Sequence, residues 1–285
     1  MEQTMGSKTT VPVSFEFFPP RDETARQRLV TGTAQKLAGL QPEYFSVTYG
    51  AGGSTKEGTK QTVTDLMSNS WNTVPHLSMS GADAQDTLDL VSYYKDLGVG
   101  KILCLRGDQA NSDAPESQYA ENLVRLIRKE FGDHFEIVVG AYPEVHPDAI
   151  TSATDLEYFK RKADAGADVA ITQYFYNIDA YAYFVEQCRR LQVEIPIVPG
   201  VMPITNYESL CRFSAKAGAD IPRWLDKAMA LRRHAETDLT KFGVEVVTRM
   251  CEKLIAMGAP ALHFYTLNRW GATTKICNNL GLQSG

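Results

Sequence analysis

The feature that most constrains the fold of this chain is a recurrence of short apolar runs separated by helix-like stretches. Strand-like runs occupy Val11–Phe18, Tyr44–Thr48, Thr73–Leu77, Lys101–Leu105, Glu136–Ala141, Val169–Thr172, Ile195–Val198 and Ala261–Tyr265. Between them lie amphipathic segments. In Asp83–Leu97 the residues Leu88, Val91, Tyr94 and Leu97 share one helical face, and Ala120–Phe131, Asp155–Ala165 and Tyr207–Ala217 read the same way. A strand-loop-helix-loop repeat implies a parallel sheet. Eight such units in 285 residues fit an α/β fold of the (β/α)8 TIM barrel type better than an open doubly wound sheet. The last spacing is longer. Ala219–Gly258 holds two helical segments, with Pro222 starting one and Thr237 expected to cap the next, so extra helices precede the final strand. The expectation is one barrel domain over 11–285, after a flexible polar segment over 1–10.

Composition narrows the function classes. A net charge of −5 and a pI near 5.6 argue against nucleic acid or an anionic membrane as partner. No run approaches the roughly 20 apolar residues that span a bilayer, and Met1–Thr10 has no apolar signal core. Five cysteines, Cys104, Cys188, Cys211, Cys251 and Cys277, are scattered and never spaced as C-x-x-C. That pattern suits reduced thiols, and a cytoplasmic location is expected.

One carboxylate stands out. In Val11–Phe18, Val11, Val13, Phe15 and Phe17 alternate with Ser14, Glu16 and Phe18, so one face is apolar and the other carries an acid. An isolated carboxylate in such surroundings costs several kcal/mol to keep ionised. Burial of that kind raises a carboxyl pKa and holds the proton on, as a general acid requires. The same residue is equally suited to an ion pair inside a core. In a barrel of this kind chemistry gathers at the carboxyl ends of the strands. Those ends carry Thr48-Tyr49, His76, Arg106-Gly107-Asp108, Tyr142, Gln173 and Asn268-Arg269, where a bare core would carry Val, Leu and Ile. The set is rich in hydrogen-bond donors and aromatic faces and suits a large polar heteroaromatic ligand, with Arg106, Arg161 and Lys162 available to neutralise phosphates. Arg161 and Lys162 are equally readable as a solvated helix face. Gly50-Ala51-Gly52-Gly53 does not match G-x-G-x-x-G and reads as a loop of close backbone approach. No His/Cys/carboxylate spacing suggests a metal site.

Ser14–Arg21 (SFEFFPPR), Ser46–Gly50 (SVTYG), Leu105–Asp108 (LRGD), Ala141–Pro147 (AYPEVHP), Ile171–Gln173 (ITQ) and His263–Arg269 (HFYTLNR) occur in order along the chain. Together they resemble the bacterial 5,10-methylenetetrahydrofolate reductases, a family of flavin-bearing barrels. The resemblance implies an FAD enzyme that takes a hydride from NADH or NADPH and passes it to methylenetetrahydrofolate at one site, in alternating half-reactions. It makes Glu16 the general acid that opens the folate ring and Asp108 the acidic residue beside flavin and pterin. The FAD positions it implies are Thr48, Tyr49, Ala51, His76, Arg106, Gly107, Asp108, Ala120, Tyr142, His146, Asp155, Tyr158, Arg161 and Lys162. The folate positions are Asp108, Gln173, Ser209, Phe213 and Arg269. Tyr158 stands where some relatives have Asn, and Ser209 where some have Gln. A homo-oligomer is also implied. From residues alone, a flavin-free barrel lyase using Glu16 and Asp108 as an acid/base pair is the competing enzyme class.

Overall fold

The computed structural model describes residues 11–49, 56–78, 84–106 and 119–282. Its strands are β1 (Val13–Phe17), β2 (Tyr44–Val47), β3 (Thr73–Ser78), β4 (Lys101–Leu105), β5 (Glu136–Ala141), β6 (Val169–Thr172), β7 (Ile197–Val198), β8 (Gly200–Val201) and β9 (Leu262–Tyr265). They pair in the order β7-β6-β5-β4-β3-β2-β1-β9-β8, and every pairing is parallel. The two ends of that sheet, β7 and β8, are separated by Pro199 alone. The barrel therefore closes through the chain itself, and the seventh strand of the expected set is present as two half-strands. Its first half pairs with β6 and its second with β9. Proline has no N–H to give a ladder, so the strand breaks there, while the Pro199 carbonyl accepts the His263 N–H at 3.1 Å. Ile195 and Pro196 lie outside β7, and Val11 and Phe18 outside β1.

The helices are α1 (Glu23–Arg28), a π-helical stretch (Leu29–Ala34), α2 (Gln35–Ala38), α3 (Lys56–Ser68), α4 (Ala84–Asp96), α5 (Ala120–Phe131), α6 (Ser152–Asp164), α7 (Ile178–Arg190), α8 (Tyr207–Ala217), α9 (Arg223–Ala230), α10 (Glu236–Ala256) and α11 (Gly271–Asn279). The extra helices before the last strand are α9 and α10. Pro222 does precede α9. Thr237 does not cap α10: the cap is Ala235, whose side chain makes no capping bond, and Glu236 and Asp238 face the helix N-terminus in its first turn. α6 begins three residues earlier than its apolar periodicity suggests, because Thr151 and Thr154 form a reciprocal capping box there. No helix among the described residues is long and apolar enough to cross a membrane. All five cysteines are free thiols.

Alternation along the strands sorts the side chains into two layers. Phe15, Phe17, Phe45 and Phe264 point outward and are fully buried under the helices, with ring centroids 5.3–6.2 Å apart. The inward layer is divided. From β3 to β7 it holds an apolar cluster of Val74, Leu103, Val138, Ile171 and Val198, with the buried His76 further along β3. Across β9, β1 and β2 it is polar, with His263, Ser14, Glu16, Tyr44 and Ser46 all buried. A core needing only bulk would not place these groups together, since each buried polar atom must find a partner.

Gly200 shapes the mouth. A Cβ there would lie 2.1 Å from the Thr172 carbonyl oxygen and 2.6 Å from the Tyr265 ring. Without a side chain at 200, Tyr265 reaches from β9 across β8 and donates its hydroxyl to the Thr172 carbonyl at 2.8 Å.

Candidate active site

Glu16 lies on β1, one residue from its carboxyl end, with 8% of its surface exposed. Register places it beside Ser46 on β2 and Tyr265 on β9. Two imidazoles approach the same oxygen: His263 Nε2 is 3.4 Å and His76 Nε2 3.5 Å from Glu16 Oε2. Behind His263, its Nδ1 lies 2.7 Å from Ser14 Oγ. The backbone of Glu16 is fixed too, because Thr266 Oγ1 donates to its carbonyl at 2.6 Å. Two residues further, Asn268 bonds both backbone groups of Phe18, accepting its N–H at 2.9 Å and donating to its carbonyl at 2.8 Å. Leu267 and Asn268 reach this position with φ of 51° and 57°, a left-handed turn that Asn accepts more readily than Leu. The turn after β9 thus brackets the carboxyl end of β1.

His76 is buried by its position on β3, and that burial lowers its pKa to about 4 against a smaller opposing pull from Glu16. It is a neutral imidazole near pH 7. Among the described residues neither of its ring nitrogens has a hydrogen-bond partner, and the buried hydroxyls Ser46 Oγ and Thr48 Oγ1 likewise have none. Thr48 caps β2, with its own carbonyl held by Thr59 Oγ1 at 2.9 Å. Tyr49 follows, half-buried, with its phenol pushed up to about 12 by burial.

A second group of predicted residues gathers after β4 and β5. Arg106 pairs with Asp148, and the Asp148 N–H donates to His146 Nδ1 at 3.0 Å. That bond leaves Nδ1 as an acceptor, and burial lowers the His146 pKa further, so this ring is also neutral. The His146 ring lies edge-on to Tyr142 at 4.4 Å, and the His146 N–H donates to Asp155 at 2.9 Å from the first turn of α6. Lys162 sends its ammonium inward to the Gly140 carbonyl, and desolvation there lowers its pKa to about 8. Ala120 is the buried first residue of α5. Arg161 and Tyr158 stand apart on the outer face of α6. Both are exposed, the guanidinium lying 5.2 Å from the Tyr158 ring, which stacks on Tyr119 at 5.8 Å. Lys162 is therefore separated in environment from its neighbour Arg161.

Among the expected folate positions, Gln173 follows β6 next to Tyr142 at the end of β5, and Arg269 follows β9. Gln173 extends β6 by donating its N–H to the Ala141 carbonyl, and its side-chain oxygen accepts the Tyr174 N–H at 3.0 Å. Tyr174 in turn meets Ser214 at 3.0 Å, which docks α8 against this edge and leaves Phe213, 40% exposed, beside it. The Ser209 hydroxyl accepts a bond from Arg212 at 3.0 Å. Arg269 is exposed and its N–H is bonded to the Thr266 carbonyl. Ala51, Gly107 and Asp108 lie outside the described residues.

Three residues of this site escaped the reading of the sequence as individual candidates: Ser14, His263 and Thr266. Ser14 sits two residues from Glu16 on the same face, so the alternation carried a signal for it. His263 and Thr266 are 247 and 250 residues away in sequence from Glu16, and only the β1–β9 register brings them there.

The comparisons agree with this geometry. Residues 1–281 match the family model "Methylenetetrahydrofolate reductase". A 5,10-methylenetetrahydrofolate reductase of Buchnera aphidicola is 36% identical over 95% of this chain and 92% of its own length. A probable methylenetetrahydrofolate reductase (NADH) of rice is also 36% identical over 94% of this chain, but the match spans only 48% of that longer protein. Among solved structures, an uncharacterized Clostridium thermocellum protein that binds two copies of 5-methyl-5,6,7,8-tetrahydrofolic acid superposes with a TM-score of 0.64 over 96% of this chain and 94% of its own, at 14% identity. That likeness bears on the barrel alone. Near-complete coverage by the family model, and of a bacterial relative over 92% of its length, shows that the chain belongs to the methylenetetrahydrofolate reductase family.

Proposed function

We propose that this chain reduces 5,10-methylenetetrahydrofolate to 5-methyltetrahydrofolate with NADH or NADPH as donor, holding FAD at the barrel mouth and serving both substrates there in turn. The observation that carries the reading is Glu16, a buried carboxyl group set against two imidazoles at the inner end of a mouth lined with unpartnered polar atoms. The methylene bridge joins N5 and N10 of the folate, so reduction requires the N10–carbon bond to break. A proton delivered to N10 makes that nitrogen a leaving group, and general acids contribute roughly 10²–10⁴-fold to such steps. Glu16 supplies this proton and is left as a carboxylate facing the imidazoles.

The residues present fit FAD. Ser46 Oγ, Thr48 Oγ1 and both ring nitrogens of His76 are buried without partners among the described residues, a state that a hydrogen-bonding ligand would relieve. FAD supplies two-electron storage between a nicotinamide donor and the folate. Thr48, Tyr49, His76, Tyr142 and His146 would hold it at the mouth. Lys162, whose pKa is lowered to about 8 by desolvation against the opposing pull of Asp155 and Glu121, and Arg106 would face its phosphates. Ala120 and Asp155 line the same side, and Arg161 would reach in from the outer face of α6. Tyr158 is engaged with Tyr119 and Arg161, so its contact would run through its ring rather than through an amide. Gln173, Phe213 and Arg269 would hold the folate, the forked guanidinium of Arg269 suiting a carboxylate of the glutamate tail. Ser209, which accepts a bond from Arg212, would join them through its own O–H. Asp108 and Gly107 after β4, and Ala51 after β2, complete the set implied by the family. Asp108 would place a negative charge beside flavin and pterin. The donor named for the rice relative is NADH. A cytoplasmic homo-oligomer completes the proposal.

The test is direct. Purified protein, denatured anaerobically, should release FAD in proportion to chain, and intact protein should bleach with NADH or NADPH and recover colour with methylenetetrahydrofolate. A folded, colourless protein that cannot be reconstituted with FAD refutes the proposal.

A further inference from the structure

The turn that follows β5 serves two neighbours at once. On one side, Tyr142 and His146 meet edge-on at 4.4 Å, and Asp155 of α6 holds the His146 N–H. On the other, Glu144 Oε2 accepts the Asp220 N–H at 2.9 Å, from a residue 76 positions further along the chain. Asp220 lies just beyond α8, in its connection to α9. Pro147 adds to the same contact. Gly218 ends α8 in the left-handed region, and a Cβ on it would lie 2.7 Å from the Pro147 ring. Tyr142, Glu144, Gln173, Tyr174 and Gly218 border one cavity of about 10 Å³, roughly the room of a single water. Residues assigned to the cofactor and to folate thus share a tightly packed wall with the end of α8.

Two features of this turn are unfavourable on their own. Val145, between Glu144 and His146, has a φ of 70°. A β-branched residue is strained there, and such strain persists only where surrounding contacts over-determine the backbone. Glu144 is the second feature. Its Oε1 is buried with no hydrogen-bond partner among the described residues, and burial raises its pKa to about 7 against the opposing pull of the Asp220 N–H. An apolar side chain would fill this place at lower cost. What the carboxyl group adds is an acceptor for one backbone N–H, and that bond reaches the end of the helix carrying Ser209 and Phe213. Two further ties of α8, Ser214 to Tyr174 and Tyr207 to Asp226, do not reach the turn after β5.

We propose that Glu144 is a positioning residue for folate: by holding Asp220 it fixes α8, and with it Phe213, against the turn that carries the FAD residues Tyr142 and His146. The inference rests on the reading of those residues as FAD and folate positions. Glu144 touches neither ligand in this role. It pre-orders the helix that folate meets, so its loss weakens folate binding rather than the chemistry that follows.

The experiment compares Glu144→Ala, Glu144→Leu and Glu144→Gln with the parent holoenzyme. Three readouts are taken: FAD affinity by fluorescence quenching, flavin reoxidation as a function of methylenetetrahydrofolate concentration, and hydrogen exchange at the Asp220 amide. Glu144→Ala and Glu144→Leu should raise the folate concentration for half-maximal reoxidation roughly tenfold, with the limiting rate and FAD affinity within about threefold of the parent. The Asp220 amide should exchange at least roughly tenfold faster in both, in the apoprotein as well as the holoenzyme. Glu144→Gln keeps an acceptor oxygen and should restore both values. Should Glu144→Ala fail to fold, Glu144→Leu decides, since it keeps the bulk and removes only the acceptor. An unchanged folate dependence in Glu144→Leu, a Glu144→Gln as impaired as Glu144→Leu, or equal losses of FAD and folate affinity overturns the proposal. The two levels separate in the parent. A parent that binds no FAD removes the proposal together with the reading beneath it, whereas a flavin-bearing parent matched by Glu144→Leu removes only the role of Glu144.

Discussion

Burial of His76 makes a prediction that can be worked from sign to magnitude. Its pKa is about 4 in the folded chain, because desolvation outweighs the attraction of Glu16, and 6.5 is the ordinary value taken for the unfolded chain. Between those values the unfolded state binds a proton that the folded state refuses, so stability falls as the pH is lowered through this window. Above pH 6.5 His76 adds no pH dependence. Below it, each unit removes about 1.4 kcal/mol, so about 2 kcal/mol is lost by pH 5 and about 3 by pH 4. Other groups titrate in the same range, so the difference between parent and His76→Gln is the informative quantity. Urea unfolding at pH 7, 6, 5 and 4.5 should show the variant losing less stability than the parent on acidification, by about 2 kcal/mol at pH 5. Above pH 7 the two profiles should run parallel, because groups such as Lys162 that titrate there are common to both proteins. Parallel curves down to pH 4.5 would mean that His76 accepts a proton in the fold as easily as in the unfolded chain. The neutral imidazole assigned to the mouth would then be wrong.

Gly200→Ala should destabilise by about 2–5 kcal/mol, since the new Cβ meets a backbone oxygen at 2.1 Å and must displace the Tyr265 ring from Thr172; thermal unfolding within a degree of the parent would refute the assigned packing. Lys162→Met removes a partly desolvated ammonium, so FAD affinity measured by fluorescence quenching should fall at least tenfold while the apoprotein folds as stably as before. Equal affinity in the two proteins would exclude Lys162 from the phosphate end. Asp108→Asn should raise the flavin midpoint potential, because a unit charge a few ångströms away is worth on the order of 1–4 kcal/mol at intermediate dielectric; dye equilibration showing no rise would take Asp108 away from the ring.

The barrel was readable because its strands alternate two kinds of side chain, and the outward kind is consistently apolar. The short elements were less readable. The run Ile195–Val198 reads as one strand that stops before Pro199, while the fold uses Pro199 as the point where pairing passes from β6 to β9. Thr237 looked like a cap by residue type, yet the backbone at Ala235 already turns into the helix, and type alone does not show which residue that will be. At the mouth, Glu16 and His76 were visible as polar residues in apolar runs. Their approach to a common point was not, because it depends on register between strands far apart in sequence. The lone pairs left unpartnered on His76 and Thr48 are properties of packing, with no counterpart in residue order.

The bracket around β1 has a consequence for how the molecule comes into being. Glu16 leaves the ribosome well before Thr266 and Asn268, which fix its carbonyl and the backbone of Phe18 and come about 250 positions later. Pairings across such separations form late, since the chain entropy of joining distant segments must be overcome before the contact rewards it. The acid therefore has no settled place until the ring of strands is complete. Half-made chains carry every residue of the first strands yet present no organised mouth, and catalytic competence arrives in a single event with closure. The same dependence should make the mouth sensitive to any loosening of the last strand, however remote that strand looks on a linear map.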